Sequence, residues 1–269
     1  MRGGEAGLVA RTWNQARRLS TRIEERVRSW PIRARARREG LPIPPGRLIY
    51  AVCNTEDAAW FLASGRIAAH CLRDILSANG VDMARMGQIL DFGCGAGRVI
   101  RHLADLDGPL IHGTDYNPAL VTWCRRALPF AQFHLNSLGG GTPFDPGSFD
   151  LVYAFSVFTH LSEPLQGFWM RALERILHPG GHLVLSVHGE SYLPSLADSE
   201  RTQFERGRLV IRDAQRDGRN DCAVFHPQSY VRQTLARGFT VVEHRPQGAL
   251  GNPHQDLYLL RKPRLAEFR

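Results

Sequence analysis

Apolar positions recur along this chain with a helical period up to about residue 80 and in short strand-like runs after it. Trp13, Ala16, Leu19, Ile23, Val27 and Trp30 fall three or four apart and so line one helix face. Pro31 interrupts that pattern, and residues 41–47 (LPIPPGR) read as an extended linker. A second helical run over 55–79 carries Ala58, Phe61, Leu62, Ile67, Leu72, Ile75 and Leu76, and Asn79-Gly80 supplies its stop. Beyond it, the apolar runs predict strands over 88–92, 110–114, 132–135, 151–155, 182–187, 240–244 and 257–261. Helices are expected to begin near Gly97, Pro118, Pro164 and Gln228. Such alternation means a parallel sheet with helices on both faces. Residues 189–225 break the rhythm, rich in charge and without a long apolar run, and read as a lid or substrate-recognition insert.

Charge changes this picture less than its total suggests. The net charge is +8, but residues 1–45 hold eleven Arg and four Glu, so the body from 46 to 269 is nearly neutral. Nucleic acid is therefore a poor guess for the substrate. The Arg-rich arm has competing readings: its apolar stripe docks on the protein's own surface or a second copy, or residues 11–30 attach peripherally to an anionic membrane. A targeting presequence is a third reading, weakened by Glu24 and Glu25. No apolar run approaches the roughly 18–20 residues that span a bilayer, and no signal-peptide core follows the start. The five cysteines form no C-x-x-C pair, which argues against a zinc site and for reduced thiols. The expected location is cytoplasmic, with attachment to a membrane surface left open.

The chemistry concentrates at Gln88–Leu103, QILDFGCGAGRVIRHL. A run that ends a strand meets Gly93, Gly95 and Gly97, residues that let the backbone turn sharply and approach a ligand. A dinucleotide fingerprint would need glycine at position 98, where Arg98 stands, and a phosphate loop would need Lys. Here the carboxylate of Asp91 precedes the turn, which suits a ligand with a cationic end better than a pyrophosphate. Asp115 closes the second strand, where an acidic residue either accepts from ribose hydroxyls or caps the helix at Pro118.

Four segments in order, ILDFGCGAGR, GTDYNPALVTWCR, FDLVYAFSVFTHL and LERILHPGGHLVLSV, resemble the class I S-adenosylmethionine-dependent methyltransferases over about 100 residues, 88–187. The resemblance implies an α/β, three-layer Rossmann-like sandwich. Its mostly parallel seven-stranded sheet would have an antiparallel last strand, in a domain over 46–269, with the helical arm and linker of 1–45 in front. It implies S-adenosyl-L-methionine as cofactor, no metal, and a methionine portion held by Asp91, Gly93 and Gly95, with Gly97 also among the cofactor-binding residues. Asp115 would bind the ribose and Tyr116 would pack near the adenine. Where many relatives carry an acidic residue near the adenine amino group, this chain has Asn136 and Ser137. Phe155 and Ser156 would face the reacting side.

Methyl transfer is a displacement for which the cofactor brings its own activation, so the protein aligns the reactants and, for a hydroxyl, removes a proton. Histidines near strand ends are the candidates: His160 in FTHL and His188 just before Gly189. His160 could instead hydrogen-bond to neighbouring backbone, and His188 is the better placed to face substrate. His226, before Pro227, reads as the start of a helix and His254 as structural or surface-exposed. The chain lacks the (Asp/Asn)-Pro-Pro-(Tyr/Phe) motif of amino-methylating nucleic-acid enzymes and any cysteine beside proline. The expectation is a methyltransferase for a small-molecule, sugar or lipid-linked acceptor, with oxygen as acceptor atom. The alternatives are a protein or RNA methyltransferase docked by the basic arm, and a module that binds the cofactor without transferring its methyl group.

Overall fold

The computed structural model describes residues 40–253 and 255–264, so the stripe over 11–30 and His254 lie outside the described residues. The chain divides into two compact units at Leu62 and Ala63. In the first, the linker is extended only to Pro45; Gly46–Cys53 forms a helix, α1, that the sequence pattern did not predict. It ends at Asn54 in the left-handed region, φ 55°. Asp57 then starts α2 (Ala58–Ala78), its Oδ1 accepting the amides of Ala59 at 2.8 Å and Trp60 at 3.1 Å. As expected, α2 stops at Asn79-Gly80, with Gly80 at φ +72°.

The second unit is a sheet with helices. Its expected strands form as β1 (Gln88–Phe92), β2 (Leu110–Asp115), β3 (Gln132–Leu135), β4 (Phe149–Ala154) and β5 (Leu177–His188). Two short strands, β6 (Val210–Arg212) and β7 (Ala223–Phe225), precede β8 (Thr240–Arg245) and β9 (Gln255–Arg261). The parallel order β3-β2-β1-β4-β5 continues into β9, which runs antiparallel to β5 from His182↔Arg261 to His188↔Gln255, and then into β8. These are the seven strands expected, with the last antiparallel. Among the described residues the sheet has nine strands, because β6 and β7 form a hairpin inside the 189–225 region, joined to β5 by the pair His188↔Phe225.

Connections follow from local chemistry. Asn117 caps α3 (Pro118–Ala127) by accepting the Ala119 amide at 3.0 Å, and Pro118 preorganises its first turn. In α4 (Glu163–Ile176), Gln166, Trp169, Met170, Leu173 and Ile176 share the buried face, and the last four pack in the core with Leu90, Phe92 and Val152. Trp169 lies 4.7 Å from Phe92 between ring centroids and donates its Nε1–H to Leu138 O at 2.8 Å. One expectation fails. No α-helix begins near Gly97: the chain passes through turns into a single 3-10 turn, Ile100–Leu103. A helix does begin at Gln228 as expected, but it is α-helical only over Gln228–Tyr230 and continues as the π-helix Val231–Leu235.

The 189–225 region has structure of its own. A 3-10 segment (Glu190–Ser195) and α5 (Asp198–Glu205) lead into the β6–β7 hairpin, and Leu196, Phe204, Val210 and Phe225 form a small separate core.

Candidate functional site

The carboxyl ends of β1, β2, β4 and β5 carry most of the residues singled out from the sequence. At the tip of β1, the amides of Gly93 and Cys94 both donate to Thr114 O, at 2.8 Å each. Gly93 and Gly97 stand at φ +74° and +78°, a region that side chains resist. A β-carbon on Gly93 would sit 2.5 Å from Val157 Cγ2, and one on Gly97 would overlap Leu128 Cδ1. The Gly95 amide donates to Asp115 Oδ2 at 2.9 Å, and Asp115 Oδ1 accepts from the Asn117 amide at 2.8 Å. Asp115 therefore does cap the chain entering α3, and it holds the glycine turn as well.

Asp91 Oδ2 and Asn136 Oδ1, like Thr114 Oγ1 and the Tyr153 hydroxyl, are buried here without a hydrogen-bond partner among the described residues. Asp91 is 4% exposed, and its Oδ2 is buried and unmatched. Burial pushes its carboxyl up to about 7, against smaller lowering effects from the Tyr153 hydroxyl and Arg98. Asn136, which follows β3, has its amide nitrogen on Ser137 O at 3.2 Å while Oδ1 is buried and unmatched. An acidic oxygen at the end of β1 and an amide oxygen at the end of β3 are suited to a cationic group and a neutral N–H donor respectively. The expected cofactor offers both, as an ammonium and an adenine amino group, so the residues present fit it.

Tyr116 is 37% exposed, and its hydroxyl donates to Gly218 O at 2.8 Å. The Gly218 amide in turn donates to His160 O at 2.7 Å, and Asp217 accepts from both the amide and the hydroxyl of Ser162, the latter at 2.6 Å. The 189–225 region thereby reaches across the strand ends and ties Tyr116 to His160. Ser137 is exposed and Phe155 is buried, its ring 6.1 Å from that of Tyr153.

His160 and His188 come together, their ring centroids 6.5 Å apart at 89°. His160 Nδ1 lies 2.6 Å from Cys222 O and His188 Nδ1 lies 3.0 Å from Val224 O. A carbonyl only accepts, so each Nδ1 carries the hydrogen and each Nε2 of the neutral ring presents a lone pair. Burial lowers both rings, His188 to about 4. Tyr192 and Phe225 pack on His188 at 4.4 Å and 5.4 Å between centroids.

The sequence reading did not single out Ser186, Tyr192, Phe225 or Gln255. Gln255 could have been suspected, because Gln255-Asp256 puts two polar residues at the head of an apolar strand, and both are buried. His226 is fully buried with Nε2 3.2 Å from Gln166 Oε1, and the helix expected to start there begins two residues on, at Gln228. No group of three or more His, Cys, Asp or Glu able to hold a metal occurs among the described residues. Among them, too, no helix is long and apolar enough to cross a membrane.

Residues 90–185 match the methyltransferase domain family. Over 97 residues the chain is 31% identical to the demethylmenaquinone methyltransferase of Chlorobaculum tepidum, covering 36% of this chain and 39% of that one. Over 104 residues it is 32% identical to the ubiquinone biosynthesis O-methyltransferase of Xanthomonas campestris pv. campestris, covering 37% of this chain and 42% of that one. The matched segment thus spans about two fifths of these curated relatives. In fold, the chain is similar to the S-adenosylmethionine dependent methyltransferase from Mesorhizobium loti, with TM-score 0.54, 19% identity, and 71% and 98% of the two chains covered. It is also similar to the Burkholderia thailandensis 1,6-didemethyltoxoflavin-N1-methyltransferase with bound 1,6-didemethyltoxoflavin and S-adenosylhomocysteine. That likeness has TM-score 0.53 and 20% identity, over 75% and 79% of the chains.

Proposed function

We propose that this chain, a member of the class I S-adenosylmethionine-dependent methyltransferase family, moves a methyl group from that cofactor to a hydroxyl of a small-molecule, sugar or lipid-linked acceptor. The observation that carries the reading is the unmatched, buried Oδ2 of Asp91 beside three left-handed glycines. That combination wants a compact cation held close to backbone. Asp91 takes the ammonium group, Gly93, Gly95 and Gly97 make room for the methionine portion, and Asp115 accepts from the ribose. Tyr116 flanks the adenine, whose amino group donates to Asn136 Oδ1, with Ser137 beside it.

When bound, the cofactor supplies a methyl group on a cationic sulfur, already activated for displacement. The chain's own part is alignment and proton handling. Phe155 and Ser156 face the reacting end. The acceptor hydroxyl donates to His188 Nε2, which orients the oxygen and takes the proton as the oxygen loses it, before passing it to solvent. A base this weak acts only as the new bond forms. His160 offers a second lone pair on the same side. The name of the ubiquinone biosynthesis O-methyltransferase supports oxygen as the acceptor atom.

Calorimetry with S-adenosylhomocysteine tests the cofactor half: binding is expected, and Asp91→Asn should abolish most of it. Absence of heat from intact protein, or tight binding of NAD instead, would overturn the reading. Transfer of labelled methyl to a panel of phenols, sugars and polyprenyl alcohols tests the acceptor half. Turnover surviving removal of residues 1–45 is expected; its loss would favour a macromolecule docked by the arm.

A further inference from the structure

Gln255 opens β9 directly opposite His188, the last residue of β5. It is 4% exposed, and both polar atoms of its side chain are used. Oε1 accepts from Ser186 Oγ at 2.7 Å, while Nε2 donates to Ser156 Oγ at 2.8 Å and lies 3.4 Å from His188 Nε2. Ser186 Oγ in turn accepts the Ser156 amide at 2.8 Å. One amide therefore ties together the ends of β4, β5 and β9. It does so where Ser156 stands at φ +59°, a conformation unfavourable to a residue other than glycine that persists only when its surroundings hold it.

The direction of each bond follows from its neighbours. Val224 O forces the hydrogen of His188 onto Nδ1, so Nε2 is a lone pair. Ser186 Oγ, already an acceptor for the Ser156 amide, gives its own hydrogen to Gln255 Oε1. That turns the amide nitrogen of Gln255 toward Ser156 and His188. An N–H facing an imidazole lone pair favours the neutral ring, whereas an oxygen there would favour imidazolium. At 3.4 Å the contact is long, which leaves the lone pair open to a stronger donor.

We propose that Gln255 is a positioning residue for the acceptor step: it holds Ser156 in its left-handed conformation and keeps His188 neutral, with Nε2 turned to the substrate hydroxyl. The proposal rests on the methyl-transfer reading above and adds to it a residue from the antiparallel last strand. Other groups around His188 do not provide the same control. His160 and His226 only disfavour its charge. Tyr192 spends its hydroxyl on Pro253 O at 2.8 Å. Asp256 is held by His244 Nε2 at 2.8 Å and the Gln247 amide at 2.9 Å, and Glu190 accepts the Gln228 amide. Arg212, over the Phe225 ring at 5.0 Å, pairs with Glu200.

The test is nitrogen NMR of the full chain labelled in its histidine rings, titrated from about pH 4 to 8 around the ordinary histidine value. His188→Asn serves to assign the signal. The wild-type ring is expected as the neutral Nδ1–H tautomer throughout the upper part of that range. Gln255→Glu places a carboxylate against Nε2 and should raise the His188 midpoint by about one unit or more. If that variant does not fold, Gln255→Asn withdraws the donor by one methylene and should raise the midpoint by about half a unit. A wild-type Nε2–H tautomer, or an unmoved midpoint in the folded variant, overturns the proposal. Calorimetry with S-adenosylhomocysteine on the same samples separates the claims. Binding with an unmoved His188 sinks the role of Gln255 alone, and no binding by wild-type protein sinks the methyl-transfer reading alone.

Discussion

The amide of Gly95 donates to Asp115 Oδ2 at 2.9 Å, so the carboxylate expected to meet a ribose is also the one that fastens the glycine turn to β2. Its other oxygen holds the Asn117 amide. Asp115→Ala should therefore fail twice. It leaves two amides without their acceptor, at about 1–3 kcal/mol of stability, and it removes the ribose contact. Asp115→Asn keeps one oxygen for Gly95 and should lose less stability than Ala. Its S-adenosylhomocysteine affinity should still drop by about ten-fold or more, since one charge-assisted bond is worth about 1.5–3 kcal/mol. Denaturant unfolding and calorimetry on the two variants check this; equal binding by Asn and wild type would remove the ribose role.

Asp91 and Tyr153 stand opposite each other on β1 and β4, both closed off from water. Burial holds the Asp91 carboxyl at about 7, far above its ordinary 3.8. Between those two values the folded state keeps a proton that the unfolded state has released, so this group lowers stability as pH rises through that window. A cationic ligand needs the ionised form. Affinity for S-adenosylhomocysteine should thus fall by about ten-fold per unit below pH 7. Asp91→Asn should bind poorly at every pH, yet unfold at higher denaturant than wild type at pH 8 and not at pH 4. A pH-independent affinity in the wild type would contradict this assignment.

The strands were legible because those buried on both faces read as apolar runs, as in Leu151–Ala154 and, broken only by Asp91, Ile89–Phe92, which are buried throughout. The segment after the glycine turn was not legible. Residues 94–101 are buried on all sides, including Arg98 and Arg101, so a pattern that resembles an amphipathic helix has no solvent face to obey. Arg98 reaches instead to Asn252 Oδ1 at 2.9 Å, and the Arg98 carbonyl occupies the space where Gly65 lacks a side chain. The three-residue strands β6 and β7 are too short to show alternation. Asp91, Asp115 and His188 could be read from their places at strand ends. Gln255 could be suspected as a polar residue at the head of an apolar strand, but not its partners, because they depend on β9 being inserted antiparallel beside β5.

Gly97 shows what the glycine turn tolerates. Its φ of +78° and the proximity of Leu128 Cδ1 together oppose any side chain. Gly97→Ala should cost about 1–2 kcal/mol from the backbone alone and more from the overlap. Leu128→Ala in the same chain should relieve only the second part. Unfolding of the single and double variants resolves the two contributions, and a neutral Gly97→Ala would contradict the backbone geometry.

The Tyr116 hydroxyl, through Gly218, fastens residues 213–221 over the strand ends, with the Gly218 amide on His160 O and Asp217 on Ser162 as the other anchors. The segment contains the partly exposed Arg216 and Arg219, which makes its opening measurable with trypsin. Tyr116→Phe deletes one neutral hydrogen bond, worth about 1 kcal/mol, from a segment with few others. When opening and closing are fast relative to cleavage, the cleavage rate follows the open population. That population should rise by about five-fold, since 1 kcal/mol corresponds to that ratio at 25 °C. Global stability should change little, because the loss falls on a locally opening segment rather than on the core. Saturating S-adenosylhomocysteine should slow cleavage of the wild type more than of the variant, as Tyr116 then joins the bound adenine to the closed segment. Equal cleavage rates with and without the hydroxyl would show that the Asp217 and Gly218 amide anchors hold the segment alone.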